Sequence, residues 1–225
     1  MDMTVEAQMP QLLALLPMFQ HIGSKEIDEL AEKMTLRSYP KHSLVMSEGD
    51  DSGAMFVIIS GKIKTFLTDD TGREVVLGFH GPGECFGEMA LLDENPRSAS
   101  IMTTEACRFG LLTKADFMAL LSQQPDMALS VIRYLTHRLR ELTGRVRELA
   151  LLDVYGRLTK TLLNMSEPQG DRRVVKELLT HQDLANLVGS SREMVTKILK
   201  DLMVGGYIDV ENKRITLNEK LPPRW

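Results

Sequence analysis

The chain has 225 residues, of which 43% are hydrophobic and 26% charged, and its formal net charge is −4. This length allows two domains with separate cores, and the composition is that of an ordinary globular protein rather than a fibrous or disordered one. No apolar run approaches the roughly 18 residues of a membrane span, and the acidic N-terminus does not resemble a secretory signal. We therefore expect a cytoplasmic protein without a membrane partner.

The acidic excess lies entirely in the first part of the chain. Residues 1–125 contain 10 Lys/Arg and 18 Asp/Glu, whereas residues 126–170 contain 7 and 5, and residues 171–225 contain 10 and 8. This asymmetry favours two modules with different partners.

Short helices are predicted over residues 10–34, with Ser24 as an N-cap. From about residue 36 to 112, short β-rich runs alternate with turn residues at spacings of roughly 8–12 residues, which is typical of a β-sandwich or barrel. Several runs alternate in period two, as expected of a sheet with one face on the core. The predicted strands are Ser43–Met46, Ala54–Ile59, Lys62–Leu67, Glu74–Phe79, Ser98–Thr103 and Cys107–Leu112.

One segment of this β-rich region, Phe86–Ala99, combines residues that are suited to binding an anion. Gly87 allows a sharp backbone turn and a close approach to a ligand. The residues after it can form one helical turn with free N–H groups, and Arg97 supplies a cation with fork geometry. Ser98 adds a hydroxyl, and Glu88 could accept from a ribose hydroxyl. Chemistry alone leaves open a simple turn with an Arg–Glu salt bridge.

Apolar residues recur at helical spacing between residues 126 and 153. A helix of this length extends about 42 Å, more than a small β-domain can cover, and a near-heptad seam favours a partner helix. We expect a homodimer through residues 126–153; the alternative is a long helix packed on its own domain. The predicted seam residues are Val131, Leu135, Leu139, Leu142, Val146 and Leu149.

These changes of pattern predict three parts: a β-domain over residues 1–125, a dimerisation helix over 126–153 and a C-terminal domain over 154–225. The last part begins with a helix over Val154–Met165, and its composition then predicts a loop over residues 166–171.

Two short amphipathic helices joined by a glycine turn follow. Thr180 begins one capping box, Gly189 ends the first helix, and Ser190 begins a second capping box. Two short helices joined by a turn of about three residues form the helix-turn-helix pattern. A β-hairpin that turns at Glu211–Arg214 would form a wing.

The start of the second helix offers side chains that can read bases. Arginine can bind guanine through two hydrogen bonds, glutamate can accept from cytosine, and lysine can reach guanine or phosphate. The alternative is a solvated surface with a Glu193–Lys197 ion pair. The candidate contacts to double-stranded DNA are Thr180, His181, Gln182, Ser191, Arg192, Glu193, Thr196 and Lys197.

The pattern Gly-Glu-x-Ala-Leu…Pro-Arg-Ser-Ala after a glycine-rich turn resembles the phosphate-binding cassette of cyclic-nucleotide-binding domains. The long helix, the segment from Leu151 to Leu158 and Gly-x-Ser-Arg-Glu-x-Val at residues 189–195 extend the likeness. Essentially the whole chain resembles the bacterial cyclic-AMP receptor protein and fumarate–nitrate regulator family of transcription regulators. The resemblance implies an α+β fold: an N-terminal double-stranded β-helix (jelly-roll), a long dimerisation helix and a C-terminal winged helix-turn-helix.

The resemblance also implies an effector, cyclic AMP, bound without a metal. The implied contacts are Gly87, Glu88, Met89, Arg97, Ser98, Arg138, Leu142 and Thr143. Gly87 and Glu88 would meet the ribose, and Arg97 and Ser98 the cyclic phosphate. Leu142 departs from the family, which has a polar residue at this position, so cyclic GMP and cyclic di-GMP stay open.

For DNA, the resemblance implies a pseudo-palindrome whose half-sites contain a G-T-G-A core read by Arg192 and Glu193. It also implies RNA polymerase as a partner, at residues 69–73 and 166–171. A non-DNA-binding cyclic-nucleotide regulatory subunit is the alternative. We identify no catalytic residue in the sequence. A cupin metalloenzyme needs clustered histidines, whereas the five histidines here are scattered. The N-terminus also lacks the cysteines of an iron–sulfur sensor. We expect a regulator, not an enzyme.

Overall fold

A computed structural model describes residues 5–20, 22–51, 53–93, 95–175, 178–212, 214–218 and 221–222. The chain divides into two compact units, the first formed within residues 1–140 and the second mainly by residues 141–225. A long helix, α5, belongs to both.

The first unit begins with helices α1 (Val5–Leu15) and α2 (Ser24–Lys33), joined through a 3₁₀ turn at Pro17–Phe19. Ser24 is the first helical residue and Gly23 the N-cap, so the predicted cap was one residue too late. The strands that follow are β1 Thr35–Tyr39, β2 Leu44–Met46, β3 Ala54–Ser60, β4 Ile63–Thr68, β5 Glu74–His80, β6 Cys85–Phe86, β7 Ser100–Thr103 and β8 Cys107–Thr113.

The strands form two four-stranded sheets, ordered β1-β8-β3-β6 and β2-β7-β4-β5. The pairs β1–β8, β3–β8 and β4–β7 are antiparallel. This arrangement confirms the predicted double-stranded β-helix, called the β-roll below, and its six predicted strands. The single-turn helix α3 (Met89–Leu92) lies between β6 and β7, and α4 (Lys114–Gln123) follows β8.

Strand β3 is buried on both faces and divides the core of the first unit. Met55 and Val57 face a cluster that includes side chains of the helices, whereas Phe56 points into a second cluster with residues of β6 and β8. There Phe56 stacks on Phe86 at 5.0 Å, and Phe109 meets both rings edge-on. Because Phe86 directly precedes Gly87, this aromatic cluster holds the start of the predicted anion-binding segment.

Helix α5 (Pro125–Leu151) has 27 residues and is therefore about 40 Å long. Val131, which the sequence pattern places in the seam, is buried in the core of the first unit beside Met127. Leu129, which precedes it on α5, is exposed. From Ile132 onward, further exposed apolar residues, 36–65% accessible, recur at alternating steps of three and four. They are Ile132, Leu135, Leu139, Leu142, Val146 and Leu149.

Helices α6 (Val154–Asn164), α7 (His181–Val188) and α8 (Arg192–Val204) belong to the second unit. Its sheet has the order β11-β12-β10-β9, with β9 at Ser166–Gln169, β10 at Arg172–Val175, β11 at Ile208–Glu211 and β12 at Arg214–Leu217. The β11–β12 hairpin pairs Glu211 with Arg214, and the winged helix-turn-helix is confirmed.

The predicted loop over residues 166–171 is wrong, because residues 166–169 form β9, which pairs with β10 around the turn at Gly170. Strand β9 is at the edge of its sheet, where Pro168 is tolerated because an edge strand need not donate every N–H.

Arg157 joins three elements of the second unit. Its Nε donates to the carbonyl oxygen of Val188 at 2.7 Å, and its Nη1 donates to that of Leu152 at 2.8 Å. The side chain therefore connects the end of α7 to the junction between α5 and α6.

Within the described ranges, no helix has the length and apolar character needed to cross a membrane. In the same part of the chain, no three His, Cys, Asp or Glu side chains are grouped to hold a metal ion.

Candidate functional site

The guanidinium of Arg97 is enclosed between two elements of the β-roll; the residue is 4% exposed. Its Nη1 donates to the carbonyl oxygen of Gly87 at 2.6 Å, and its Nη2 donates to that of Ala54 at the start of β3. The backbone of Arg97 pairs with the preceding turn, donating to the Asp50 carbonyl and accepting from the Gly49 N–H. Side chain and backbone together fix the cation.

Loss of hydration lowers the pKa of Arg97, and the charges of Glu88 and Asp50 act in the opposite direction. Arginine nevertheless stays protonated in proteins, so the site holds a positive charge away from water. A buried cation of this kind is stabilised by an anion that replaces its hydration.

Only glycine fits at position 87. Its φ of +81° lies in the left-handed region. A Cβ at this residue would lie 2.5 Å from Nη1 of Arg97 and 3.1 Å from Cε of Met46. The backbone conformation and the close approach of the guanidinium both require a residue without a side chain.

Glu88 is 8% exposed and precedes α3, but its side chain makes no capping hydrogen bond to that helix. Its Oε1 accepts instead from the hydroxyl of Tyr134 on α5, at 3.2 Å. Sequence reasoning missed both Tyr134 and Ala54. The only signal for Tyr134 was a phenol in a helix otherwise rich in Leu and Arg, and Ala54 contributes a backbone carbonyl that no residue type reveals.

Met89 and Ser98 complete the part of the site that the structure brings together. Both side chains are exposed, and the Ser98 hydroxyl lies 3.8 Å from the Met89 sulfur. Arg138 is half-buried, and its charge acts on Tyr134 and Cys85 near Glu88. Glu94, within the same segment, lies outside the described residues.

Leu142 and Thr143 are exposed on the part of α5 that belongs to the second unit. Their contact with a purine stays a prediction. The remaining groups are a buried cationic fork, an exposed hydroxyl and a buried carboxylate, and this set fits an anion that carries a sugar hydroxyl.

The helix-turn-helix is built by the predicted caps, with one change. The Thr180 hydroxyl accepts from the Asp183 N–H at 3.1 Å, and the Asp183 carboxylate accepts from the Thr180 N–H at 2.8 Å. Gly189 ends α7 in the left-handed conformation. Helix α8 is capped by Ser191, which accepts from the Met194 N–H at 3.2 Å, so Ser190 is not the cap.

The structure groups several predicted DNA contacts around one groove. His181 Nδ1 lies 2.8 Å from the Thr196 hydroxyl and so joins the start of α7 to α8. Arg192, Glu193, Thr196 and Lys197 are exposed on α8. The groove has a volume of about 520 Å³ and is lined by Leu179, Thr180, His181, Gln182, Arg192, Val210 and Ile215.

In comparison with known proteins, each unit matches a known domain family. Residues 36–124 match the model of the cyclic nucleotide-binding domain, and residues 156–220 match that of the Crp-like helix-turn-helix domain. The chain is 30% identical to the CRP-like cAMP-activated global transcriptional regulator of Mycobacterium tuberculosis, across 94% of this chain and 96% of that protein. It is 33% identical to the cyclic AMP receptor protein of Thermus thermophilus, across 85% and 88% of the two chains.

Among solved structures, the c-di-GMP responsive global regulator CLP of Xanthomonas campestris matches with a TM-score of 0.77 at 29% identity. The match covers 88% of this chain and 100% of that one. A β-roll with an enclosed Arg–Glu site and a winged helix-turn-helix on one chain define a ligand-responsive transcription regulator. The chain belongs to the cyclic-AMP receptor protein and fumarate–nitrate regulator family, which confirms the resemblance found in its motifs.

Proposed function

We propose that this chain is a homodimeric transcription regulator that binds cyclic AMP and, in response, a pseudo-palindromic double-stranded DNA site. The observation that carries this proposal is the buried guanidinium of Arg97, which donates to the carbonyl of Gly87 and interacts electrostatically with Glu88. This cation belongs to a cyclic nucleotide-binding domain, and the same chain carries a Crp-like helix-turn-helix, which disfavours a regulatory subunit that does not bind DNA.

In this proposal Arg97 and Ser98 bind the cyclic phosphate, and Gly87 and Glu88 bind the ribose. Arginine suits the phosphate because its fork donates two parallel hydrogen bonds to two oxygens. Met89 packs beside the sugar. The names of the relatives from Mycobacterium tuberculosis and Thermus thermophilus both refer to cyclic AMP, which favours this nucleotide.

The base would be contacted by Arg138, Leu142 and Thr143. The Leu142 side chain has no hydrogen-bonding group, so Arg138 and Thr143 would supply the polar part of base recognition. This departure, together with the match to a c-di-GMP responsive regulator, supports cyclic di-GMP as the second candidate effector. Cyclic GMP is the third.

Dimerisation would occur along α5. Its exposed apolar residues from Ile132 to Leu149 recur in a heptad rhythm, and such a seam is buried when a second helix packs against it. A C2 dimer of this kind places two recognition helices for two half-sites about one helical turn apart.

At each half-site, Arg192 and Glu193 read base edges of a G-T-G-A core, and Lys197 contacts guanine or phosphate. The other candidate contacts bind phosphates or position the helix. Residues 69–73 and the β9–β10 hairpin are the proposed contacts to RNA polymerase, by family analogy alone.

The test is to measure DNA affinity at fixed salt, with and without cyclic AMP, cyclic GMP or cyclic di-GMP, because salt strongly affects protein–DNA binding. We expect cyclic AMP alone to increase affinity for a G-T-G-A palindrome, and Arg97→Gln to abolish the increase while leaving basal DNA binding intact. A response to cyclic di-GMP alone would select the second candidate. No nucleotide binding below about 100 μM (about −5.5 kcal/mol) would refute the ligand-sensing role.

A further inference from the structure

The hydroxyl of Tyr134 connects helix α5 to the carboxylate proposed to bind ribose. It lies 3.2 Å from Oε1 of Glu88, across 46 positions of sequence. Burial, followed by the negative charges around it, raises the pKa of Tyr134 well above its usual range. The phenol therefore keeps its proton and is the donor in this bond.

Cys85 also lies within hydrogen-bonding reach of the Tyr134 hydroxyl. Loss of hydration and the charge of Glu88 raise the pKa of the Cys85 thiol, while Tyr134 and Arg138 act in the opposite direction. The thiol therefore stays protonated, and a carboxylate is a stronger hydrogen-bond acceptor than a thiol, so Glu88 is the partner that the hydroxyl favours.

The carboxylate of Glu88 keeps a second oxygen for a ligand. An ionised carboxylate has about four acceptor positions on two oxygens, and Tyr134 uses one of them on Oε1. Because Glu88 makes no capping bond to α3, the bond to Tyr134 restrains the orientation of its side chain. In a 3′,5′-cyclic nucleotide the 2′-hydroxyl is the only free ribose hydroxyl, so it is the group that Oε2 can accept.

We propose that Tyr134 is a positioning residue whose hydroxyl holds the Glu88 carboxylate so that Oε2 accepts the ribose 2′-hydroxyl. This inference rests on the proposed cyclic-nucleotide function. It differs from a packing role in one respect: the contribution of the Tyr134 hydroxyl to binding depends on the presence of the 2′-hydroxyl in the ligand.

The experiment is a cycle that combines one protein change with one ligand change. Wild type and Tyr134→Phe are titrated calorimetrically with cyclic AMP and with 2′-deoxy cyclic AMP. We expect Tyr134→Phe to weaken cyclic AMP binding about tenfold, which corresponds to about 1.4 kcal/mol. Its affinity for the deoxy analogue should stay within about twofold of wild type, because the group that Glu88 would accept is absent.

Tyr39→Phe is the matched control. Tyr39 is a half-buried tyrosine of the same unit whose ring packs on Phe109 at 5.5 Å, and its substitution should change neither affinity. A Tyr134→Phe variant that loses the same factor for both ligands acts through packing and overturns the inference. So does one that binds cyclic AMP as well as, or better than, wild type. If wild type binds no cyclic AMP, the proposed function itself fails and the inference with it. If wild type binds cyclic AMP and the deoxy analogue equally, Glu88 does not accept the 2′-hydroxyl and the inference alone fails.

Discussion

The replacement Gly87→Ala tests the close contact on which the anion site depends. Gly87 and Gly72 have the same φ of +81°, so alanine at either position suffers the same backbone strain. Their surroundings differ: a Cβ at Gly87 would meet Arg97 Nη1 at 2.5 Å, whereas a Cβ at Gly72 would have no neighbour within 4 Å. Gly72→Ala is therefore the control for strain alone.

The contacts give the expected magnitudes. A left-handed backbone costs an L-residue about 1–2 kcal/mol, so Gly72→Ala should lower the free energy of unfolding by about 1 kcal/mol. Gly87→Ala adds the displacement of Nη1 and the loss of its hydrogen bond to the Gly87 carbonyl. A hydrogen bond to a charged group is worth about 1.5–3 kcal/mol, so the total loss should be about 3 kcal/mol. With the guanidinium displaced, nucleotide affinity should fall at least about tenfold.

Urea unfolding at one fixed protein concentration measures the stability, because the stability of a dimer depends on concentration. Calorimetric titration with cyclic AMP measures the affinity, which Gly72→Ala should leave unchanged. Equal losses of stability in the two variants, together with unchanged nucleotide binding in Gly87→Ala, would refute the argument from the Gly87–Arg97 contact.

Three further predictions concern α5 and the second unit. Leu139 lies in the exposed seam, so Leu139→Glu would bury a charge between the two helices and should give monomers in a sedimentation experiment. Leu151 is exposed outside the heptad pattern, so Leu151→Glu should leave the dimer intact. Arg192→Ala should cost about 1–3 kcal/mol of DNA affinity and relax specificity at one base pair; equal weakening on every sequence in a competition assay would contradict base reading. Thr180→Ala should destabilise the second unit by about 1 kcal/mol through loss of the helix cap, with Thr180→Ser close to wild type; equal melting temperatures for the two variants would show that the cap contributes nothing.

The strands that the sequence predicted are those whose side chains alternate or are buried on both faces. β3 is the clearest case. The missed strands lack that signal: β1 at the edge of its sheet is mostly exposed, and β6 has two residues. The polar edge strand β9 (Ser166–Gln169) has one buried residue, so its composition indicated a loop although its backbone pairs with β10.

Site residues could be predicted where the residue type itself supplies the chemistry, but not where the function depends on which residues the fold brings together. Arg97 and Glu88 are of the first kind, because their side chains are a cation and a carboxylate. The partner Tyr134 comes from α5, and only the folded chain shows that its hydroxyl reaches Glu88. The sequence placed Val131 in the seam, whereas the structure exposes Ile132 there instead. Both residues are apolar, and periodicity alone does not decide which of two neighbours faces the core.

The two hydrogen bonds of Arg157 connect the α5–α6 junction directly to the first helix of the helix-turn-helix. Because one guanidinium holds the carbonyls of Leu152 and Val188, we expect a movement of the α5–α6 junction to be passed on to the end of α7. A tilt of about 5° about the middle of a helix about 40 Å long moves its end by about 2 Å. Hydrogen bonds to base edges tolerate only a few tenths of an ångström, so we expect a rotation of this size to decide whether the proposed contacts reach their bases.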